Sequence, residues 1–233
     1  MTMTSRRLPS RSRQRSVSLL AAVLALAGPA APGAVAAEGL QGDVNQAAAI
    51  VERFRNMPEK QIPPKILDDA KGLAIMSVVK AGFLVSAQGG TGVVIARTGK
   101  GWSGPSGIGT GGAGFGFQVG AQVTEFVIVL NTPAAVEAFS HGGNVAIGAD
   151  LSAAVGPVGR DLSADVMPAA AVYTYSLSQG LFAGMSLEGT VIVARNDAND
   201  QYYGRSTTPQ AILAGKIAPP AGADRLRKLL SRL

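Results

Sequence analysis

Two short helices are predicted where the folded part of the chain begins, because apolar residues recur there at helical spacing. The apolar face of the first helix consists of Val44, Ala47, Ala48, Val51 and Phe54. Asp43 with Gln46 resembles a capping box, so a helix is expected over about 43–57. Pro64 suits the first turn of a second helix, and Gly72 suits its end.

The apolar period changes after Gly72 from that of a helix to that of strands. Short apolar runs separated by glycines predict strands at 73–79, 82–87 and 93–97. The glycines at 89–92 are expected to form a turn between the second and third runs, and residues 98–101 another. The pattern is typical of antiparallel hairpins.

The stretch 104–123 is rich in glycine and, from Gly112 onward, alternates with period two. Even positions there are glycine or glutamine, and odd positions are apolar. This alternation predicts a strand with one bare face. Glycine inside a strand costs stability unless something approaches the backbone closely. A helix, a neighbouring sheet or a ligand chain is therefore expected against this face.

The sequence pattern after residue 123 predicts further strands and three more helices. Strands are expected at 125–130, 144–155, 169–178, 181–187 and 189–195. Helices are expected from Pro133 to about His141, from Pro209 to about Gly215, and over about 221–233. The predicted fold class is α+β, a curved antiparallel β-sheet or partial barrel with short covering helices at both ends.

Residues 1–36 have the organisation of a secretory signal peptide. Five arginines and no acid precede an apolar run at 17–27, and an A-x-A sequence follows at 34–36. The run has about half of the roughly 20 residues that a membrane span needs. The protein is therefore expected to be exported, periplasmic or secreted, with one domain over 37–220 and a basic helix over 221–233.

Removal of this leader changes the charge of the protein. The whole chain has a formal net charge of +6, but only sixteen basic and fifteen acidic residues follow residue 36. A nearly neutral chain is not expected to bind nucleic acid through a general excess of positive charge. The chain contains no cysteine, which excludes a lipid-modified cysteine anchor and thiolate chemistry.

Candidate catalytic and cofactor motifs are weak. Residues 107–112 match the letters of the dinucleotide motif G-x-G-x-x-G, but a strand pattern follows where a helix is required. His141 is the only histidine, and its place at a predicted helix end favours a capping role over catalysis. Asp197, Asn199 and Asp200 lack calcium-loop spacing and favour a polar turn. We predict no enzyme, no cofactor and no metal site.

The C-terminal segment is basic and amphipathic. Leucines at helical spacing form one side, namely Leu226, Leu229, Leu230 and Leu233. The other positions include Arg225, Arg227, Lys228 and Arg232. This pattern is typical of a helix that lies in a membrane interface. The alternative is that the leucines pack on the domain and the cations are solvated, and the sequence does not decide between the two.

A series of ordered blocks along the chain resembles the SYLF domain, also called the Ysc84-type domain. The blocks are Ile62-Pro63-Pro64, residues 70–75, 80–84, 92–97 and 102–106, the glycine-rich strand, 125–127 with 130–132, 154–160, and 180–184 with 186–189. Together they cover about residues 45–203. The resemblance is more specific than any single motif above, because the blocks occur in order along most of the predicted domain.

The resemblance implies binding to phospholipid headgroups without catalysis. Candidate headgroup contacts in the matching blocks are Lys71, Lys80, Arg97 and Arg160, with the four basic residues of the C-terminal helix beside them. In fungal and animal members the domain accompanies actin binding and usually stands beside an SH3 or FYVE domain. Because this chain has a leader and no second domain, actin is an improbable partner.

A bacterial exported member that binds acidic phospholipids or membrane surfaces is expected instead. A structural envelope protein that acts through protein–protein contacts is the alternative, and a homo-oligomer is compatible with the sequence.

Overall fold

The structure is a computed structural model that describes residues 39–57, 62–142, 144–156, 170–180 and 190–232. The helices are α1 (Gly39–Asn56), α2 (Pro64–Asp69), α3 (Pro133–Ser140), α4 (Asn196–Tyr203), α5 (Pro209–Leu213) and α6 (Asp224–Leu230), with a 3₁₀ turn at Ala221–Ala223. The strands are β1 (Gly72–Thr98), β2 (Gly101–Trp102), β3 (Ser106–Leu130), β4 (Val145–Ala146), β5 (Ala153–Val155), β6 (Val172–Gly180) and β7 (Val191–Ala194). The predicted leader and the predicted strand at 181–187 lie outside the described residues.

A curved sheet built around the long hairpin of β1 and β3 forms the half-barrel predicted from the sequence. The strand order is β2-β1-β3-β6-β5, while β7 pairs with β3 and with β4. The pairings of named strands are antiparallel except that of β5 with β6, which is parallel. The predicted α+β class is confirmed, and the sheet is mixed rather than purely antiparallel.

The turn predicted at 89–92 is wrong, because β1 continues through these glycines as one strand of 27 residues. A Cβ atom at Gly90 would meet the backbone of Ser77 and Val78. One at Gly92 would meet the carbonyl oxygen of Ile75. The two halves of β1 therefore cross in backbone contact, and glycine is required because a side chain would fill the gap.

This crossing brings the two ends of β1 together. The amide of Arg97 donates to the carbonyl oxygen of Lys71 at 2.8 Å. The hairpin bends where its register shifts between Phe83 and Val85. The strands predicted at 73–79, 82–87 and 93–97 are thus parts of one bent strand, and those predicted at 104–123 and 125–130 merge in the same way into β3.

Both faces of the crossed strands are buried. Along β1, Leu73 and Ile75 belong to one apolar cluster, and Ala74 and Met76 belong to another. The first cluster includes residues of α1, α2 and α6, and the second includes residues of α3 and α5. A strand buried on both faces has a nearly continuous apolar sequence, which is why Ser77 is the one polar residue in the run 73–79.

Local capping signals place two of the helices correctly. The Thr132 hydroxyl accepts from the amide of Ala135 at 3.1 Å, and that of Thr208 accepts from Ala211 at 3.2 Å. Each helix has proline in its first turn. The predictions for α3 and α5 are therefore confirmed. None of the described helices is long and apolar enough to cross a membrane.

The polar turn predicted around Asp197 is wrong, because these residues form α4. Asn199 is fully buried there, where its side-chain oxygen accepts from the Gly107 amide at 2.7 Å. Its side-chain nitrogen donates to the Ser106 hydroxyl at 3.1 Å. These bonds join α4 to the start of β3. The first five residues of α4 are polar except for Ala198, so this part of the sequence resembles a loop.

We predict that Gly92→Ala destabilises the protein by about 3 kcal/mol, because the new methyl group would meet the backbone of the crossing strand. Urea unfolding measures the change. Gly99→Ala is the matched control, since a Cβ there meets nothing within 4 Å; we expect a change within about 0.5 kcal/mol. Equal stability of the two variants would show that β1 does not cross itself in this way.

Candidate functional site

An apolar pocket lies where the end of α1, α2, the start of β1, β3 and the C-terminal segment meet. Its volume is about 120 Å³. The apolar lining comprises Val51, Phe54, Ile62, Pro64, Leu67, Leu73 and Val127. All of these except Pro64 are buried, and they belong to the apolar cluster beneath α1. The pocket is therefore an opening from the surface into the core.

Among the described residues that line this pocket, only two arginines are polar. Arg55 is in the last turn of α1, and Arg232 follows the end of α6. Both side chains are exposed, and the part of the lining that the structure describes contains no acid. Arg55 also lies near the negative end of the α1 dipole, a position that favours a cation. Sequence reasoning missed Arg55, because it falls on the polar side of an ordinary amphipathic helix.

Charges on α2 next to the pocket are partly paired. Lys65 donates to the Asp69 carboxylate at 2.8 Å, and both side chains are exposed. This hydrogen bond lowers the pKa of Asp69 and raises that of Lys65. Lys71 is exposed and two residues before Leu73 of the pocket, and it also lowers the pKa of Asp69 slightly. The α2 edge is therefore mixed in charge, and the pocket rim is positive.

Arg97 and Arg227, both predicted headgroup contacts, bind groups of the protein itself. The Arg97 guanidinium lies 4.6 Å from the centre of the Trp102 ring. It also donates to the carbonyl oxygens of Leu67 at 2.9 Å and Ala70 at 3.2 Å. Arg227 donates from Nε to the Trp102 carbonyl oxygen at 3.0 Å. These arginines fasten α2 and α6 to the β1–β2 turn.

The other predicted contacts are spread over the molecule. Arg225 forms an ion pair with Glu52 at 2.9 Å, and Lys228 is exposed on α6. Lys80 is half-buried in the middle of β1, opposite Gln122 of β3. Arg160 lies outside the described residues. Of the seven predicted residues that the structure describes, only Arg232 lines the pocket.

The apolar face of the C-terminal helix is used for packing. Leu226 and Leu230 are buried in the cluster beneath α1, and Leu229 packs against that cluster; Leu233 lies outside the described residues. Of the two interpretations of this segment, packing on the domain is the one observed. The apolar residues of α1 are buried in the same cluster, including Val44 and Phe54. The described apolar residues of both helices are therefore used for packing within the domain.

Two further motif interpretations are confirmed, whereas the capping box predicted at Asp43 is wrong because α1 begins at Gly39 and Asp43 lies inside it. His141 caps the end of α3, and its Nδ1 lies 2.8 Å from the Glu137 carbonyl oxygen. Residues 107–112 are part of β3, so no helix follows the glycine motif.

Two ion pairs, not predicted from the sequence, hold α1 on the sheet. Asp43 binds Arg195 and accepts from the Thr91 hydroxyl at 2.6 Å. Arg53 binds Glu125. These polar residues of α1 are therefore structural, in contrast to Arg55.

We predict that Arg97→Lys lowers stability by about 1 kcal/mol, because lysine cannot reproduce the bonds to the two α2 carbonyls or the planar stacking on Trp102. Thermal unfolding is the measurement. The control is Arg205→Lys, at an exposed position that lines no pocket described above. If Arg97→Lys is as stable as that control, Arg97 is free to serve a ligand.

Comparison with known proteins places these observations in a family. The model of the family Ysc84, described as "Las17-binding protein actin regulator", matches residues 111–233. SH3 domain-containing YSC84-like protein 1 of Bos taurus is 47% identical over 199 residues, which are 82% of this chain and 58% of that protein. LAS seventeen-binding protein 3 of Saccharomyces cerevisiae is 43% identical over 201 residues, 82% of this chain and 44% of that protein.

The chain therefore spans between about two fifths and three fifths of the length of these relatives.

Two expectations from the sequence are wrong in the light of these relatives. The chain was expected to be exported, periplasmic or secreted, but the relatives are SH3 domain-containing and Las17-binding proteins of animals and yeast. Actin was expected to be an improbable partner, but the matching family is described as an actin regulator. The expectation of export rested on the assignment of residues 1–36 as a leader, and that about actin rested on this assignment together with the expected lack of a second domain.

Proposed function

The chain belongs to the Ysc84 family, and from this premise we propose that it is a non-catalytic binding domain that attaches to acidic phospholipid surfaces. The observation that supports the proposal best is the positive rim of the pocket. Arg55 and Arg232 are exposed there beside apolar residues, and none of the described lining residues is an acid. Exposed guanidinium groups bind phosphate oxygens through charge-assisted, often bidentate hydrogen bonds.

The energetics imply weak and salt-dependent attachment. Each cation near an anionic leaflet contributes about 1 kcal/mol, and salt screens this term within a Debye length. The buried leucines of α6 contribute nothing to the free energy of membrane binding as long as the helix remains packed on the domain. The binding of this chain to a membrane is therefore expected to depend on charge far more than binding by an inserted amphipathic helix would.

Regulation of actin through a Las17-like partner is a second candidate function. The family description and the name of the yeast relative favour it. Binding a protein partner and binding a membrane are compatible in one domain, because the surface of α3, α4 and α5 does not line the pocket.

We predict that Arg55→Gln with Arg232→Gln weakens binding to phosphatidylserine-containing vesicles roughly 30-fold, because two headgroup contacts of about 1 kcal/mol each are lost. Vesicle flotation over a range of salt concentrations is the measurement. The matched control is Arg205→Gln with Lys216→Gln, which removes the same charge at exposed positions outside the pocket.

The control pair is expected to change binding by less than about threefold. If both double variants lose the same amount of vesicle affinity, binding depends on the net charge of the protein and not on the pocket rim. Wild-type binding that ignores salt and anionic lipid content would contradict the proposal as a whole.

We further predict that the chain co-sediments with purified Las17 or with actin filaments. The vesicle-binding variant Arg55→Gln with Arg232→Gln should do so as well as the wild type, because its changes are confined to the pocket rim. Co-sedimentation with neither partner would remove the second candidate and leave the membrane proposal standing.

A further inference from the structure

We propose that the pocket takes up the apolar end of a single anionic amphiphile, an acyl chain with a phosphate head, whose head binds Arg55 and Arg232. This inference rests on the proposed function for the chemistry of the head, and adds a site that holds one lipid molecule rather than a charged surface. The geometry behind it is the direct contact between the positive rim and an opening into the core.

The lining is suited to an alkyl chain. Apart from the two arginines, every lining residue within the described ranges is apolar. An alkyl chain makes no hydrogen bonds and loses none on entering such a space. A peptide segment would carry amide groups into it, and those groups would meet apolar side chains of the described lining. The lining therefore favours a lipid over an acidic peptide.

The size of the pocket limits what enters. Its volume of about 120 Å³ is slightly smaller than the cavity of about 150 Å³ that binds benzene in an engineered protein. Only a short segment of an acyl chain can enter, and the rest of the molecule must lie outside or in a bilayer. Since the pocket is open at its mouth, a phosphate head attached to that segment can reach the rim.

The sheet contributes two buried residues to the lining of the pocket. They are Leu73 of β1 and Val127 of β3, with exposed fractions of 1% and 2%. Val51 and Phe54 of α1 and Leu67 of α2 contribute to the lining as well. An alkyl chain inserted past the rim would therefore contact methyl groups from four different elements.

The test uses octyl phosphate at concentrations below those at which it forms micelles. Methyl NMR signals of Val51, Leu67, Leu73 and Val127 report the occupancy of the pocket directly. Inorganic phosphate provides the head alone, and 1-octanol provides the tail alone. We expect octyl phosphate to bind at least tenfold more tightly than either, because both the apolar burial and the charged contacts are needed.

Two variants divide the contributions of tail and head. Val51→Phe should fill the pocket and abolish the chemical-shift changes that octyl phosphate causes in the methyl signals. The salt-dependent binding of this variant to vesicles should remain. Arg55→Gln with Arg232→Gln should lower the affinity for octyl phosphate at least tenfold. Both positions are exposed, so the substitutions should not prevent folding. Arg205→Gln with Lys216→Gln should leave the affinity unchanged. Thermal unfolding checks that each variant is folded.

Several outcomes would overturn the inference. The first is that 1-octanol binds as tightly as octyl phosphate. The second is that octyl phosphate still changes the methyl signals in both the Val51→Phe variant and the Arg55→Gln, Arg232→Gln variant. Tighter binding of an acidic peptide with one aromatic residue would make the pocket a peptide site instead. In each case the wild-type protein can still bind vesicles in a salt-dependent way, so the failure of this inference is distinguishable from failure of the proposed function.

Discussion

The backbone contact between the two halves of β1 is the constraint on which the rest of the molecule depends. Gly90 and Gly92 allow the strand to pass over residues 75–78, and no larger residue fits there without displacing the backbone. The crossing places Arg97 next to Lys71. The carbonyls at the end of α2 then lie within reach of the Arg97 guanidinium, and Trp102 lies beneath it. The position of α2, and with it one wall of the pocket, follows from the crossing.

The folded sheet also determines where the apolar faces of the amphipathic helices are buried. Both faces of its central strands are apolar, so each face needs a cover. The apolar faces of α1 and α6 serve that purpose, and the ion pairs Asp43–Arg195 and Arg53–Glu125 hold α1 in place. A helix that already buries its leucines in a core gains little by transferring them to lipid. The surface that remains for binding is therefore the charged rim with a small apolar opening, and this explains why we expect attachment rather than insertion.

The sequence predicts the parts of this structure that depend on local signals. The threonine caps and N-terminal prolines of α3 and α5 are local, and so is the apolar period of α1. The period of two predicts strands along β1 and β3, although it does not show that they are continuous. Gly90 and Gly92 are ambiguous in the sequence, because a turn and a close crossing both require glycine. The contact with residues 75–78 that decides between them is a tertiary one.

The pocket itself could not be predicted for the same reason. Its lining comes from α1, α2, β1, β3 and the C-terminal segment, and each apolar residue of the lining, taken alone, is typical of an ordinary core. Arg55 and Arg232 are far apart in the chain, and nothing local distinguishes them from Arg53 or Arg225, which form ion pairs. Only the partners that the fold supplies separate a structural arginine from one left free for a ligand.

Hydrogen–deuterium exchange on the vesicle-bound protein tests the central claim most directly, namely that α1 and α6 stay packed on the sheet while the pocket rim meets the membrane. The account predicts that amides of Leu226–Leu230 and of α1 remain as protected on anionic vesicles as in solution, and that added protection is confined to Pro64–Leu73 and the residues around Arg55 and Arg232. Loss of protection in α6 on binding, with its leucines transferred to lipid, would contradict it.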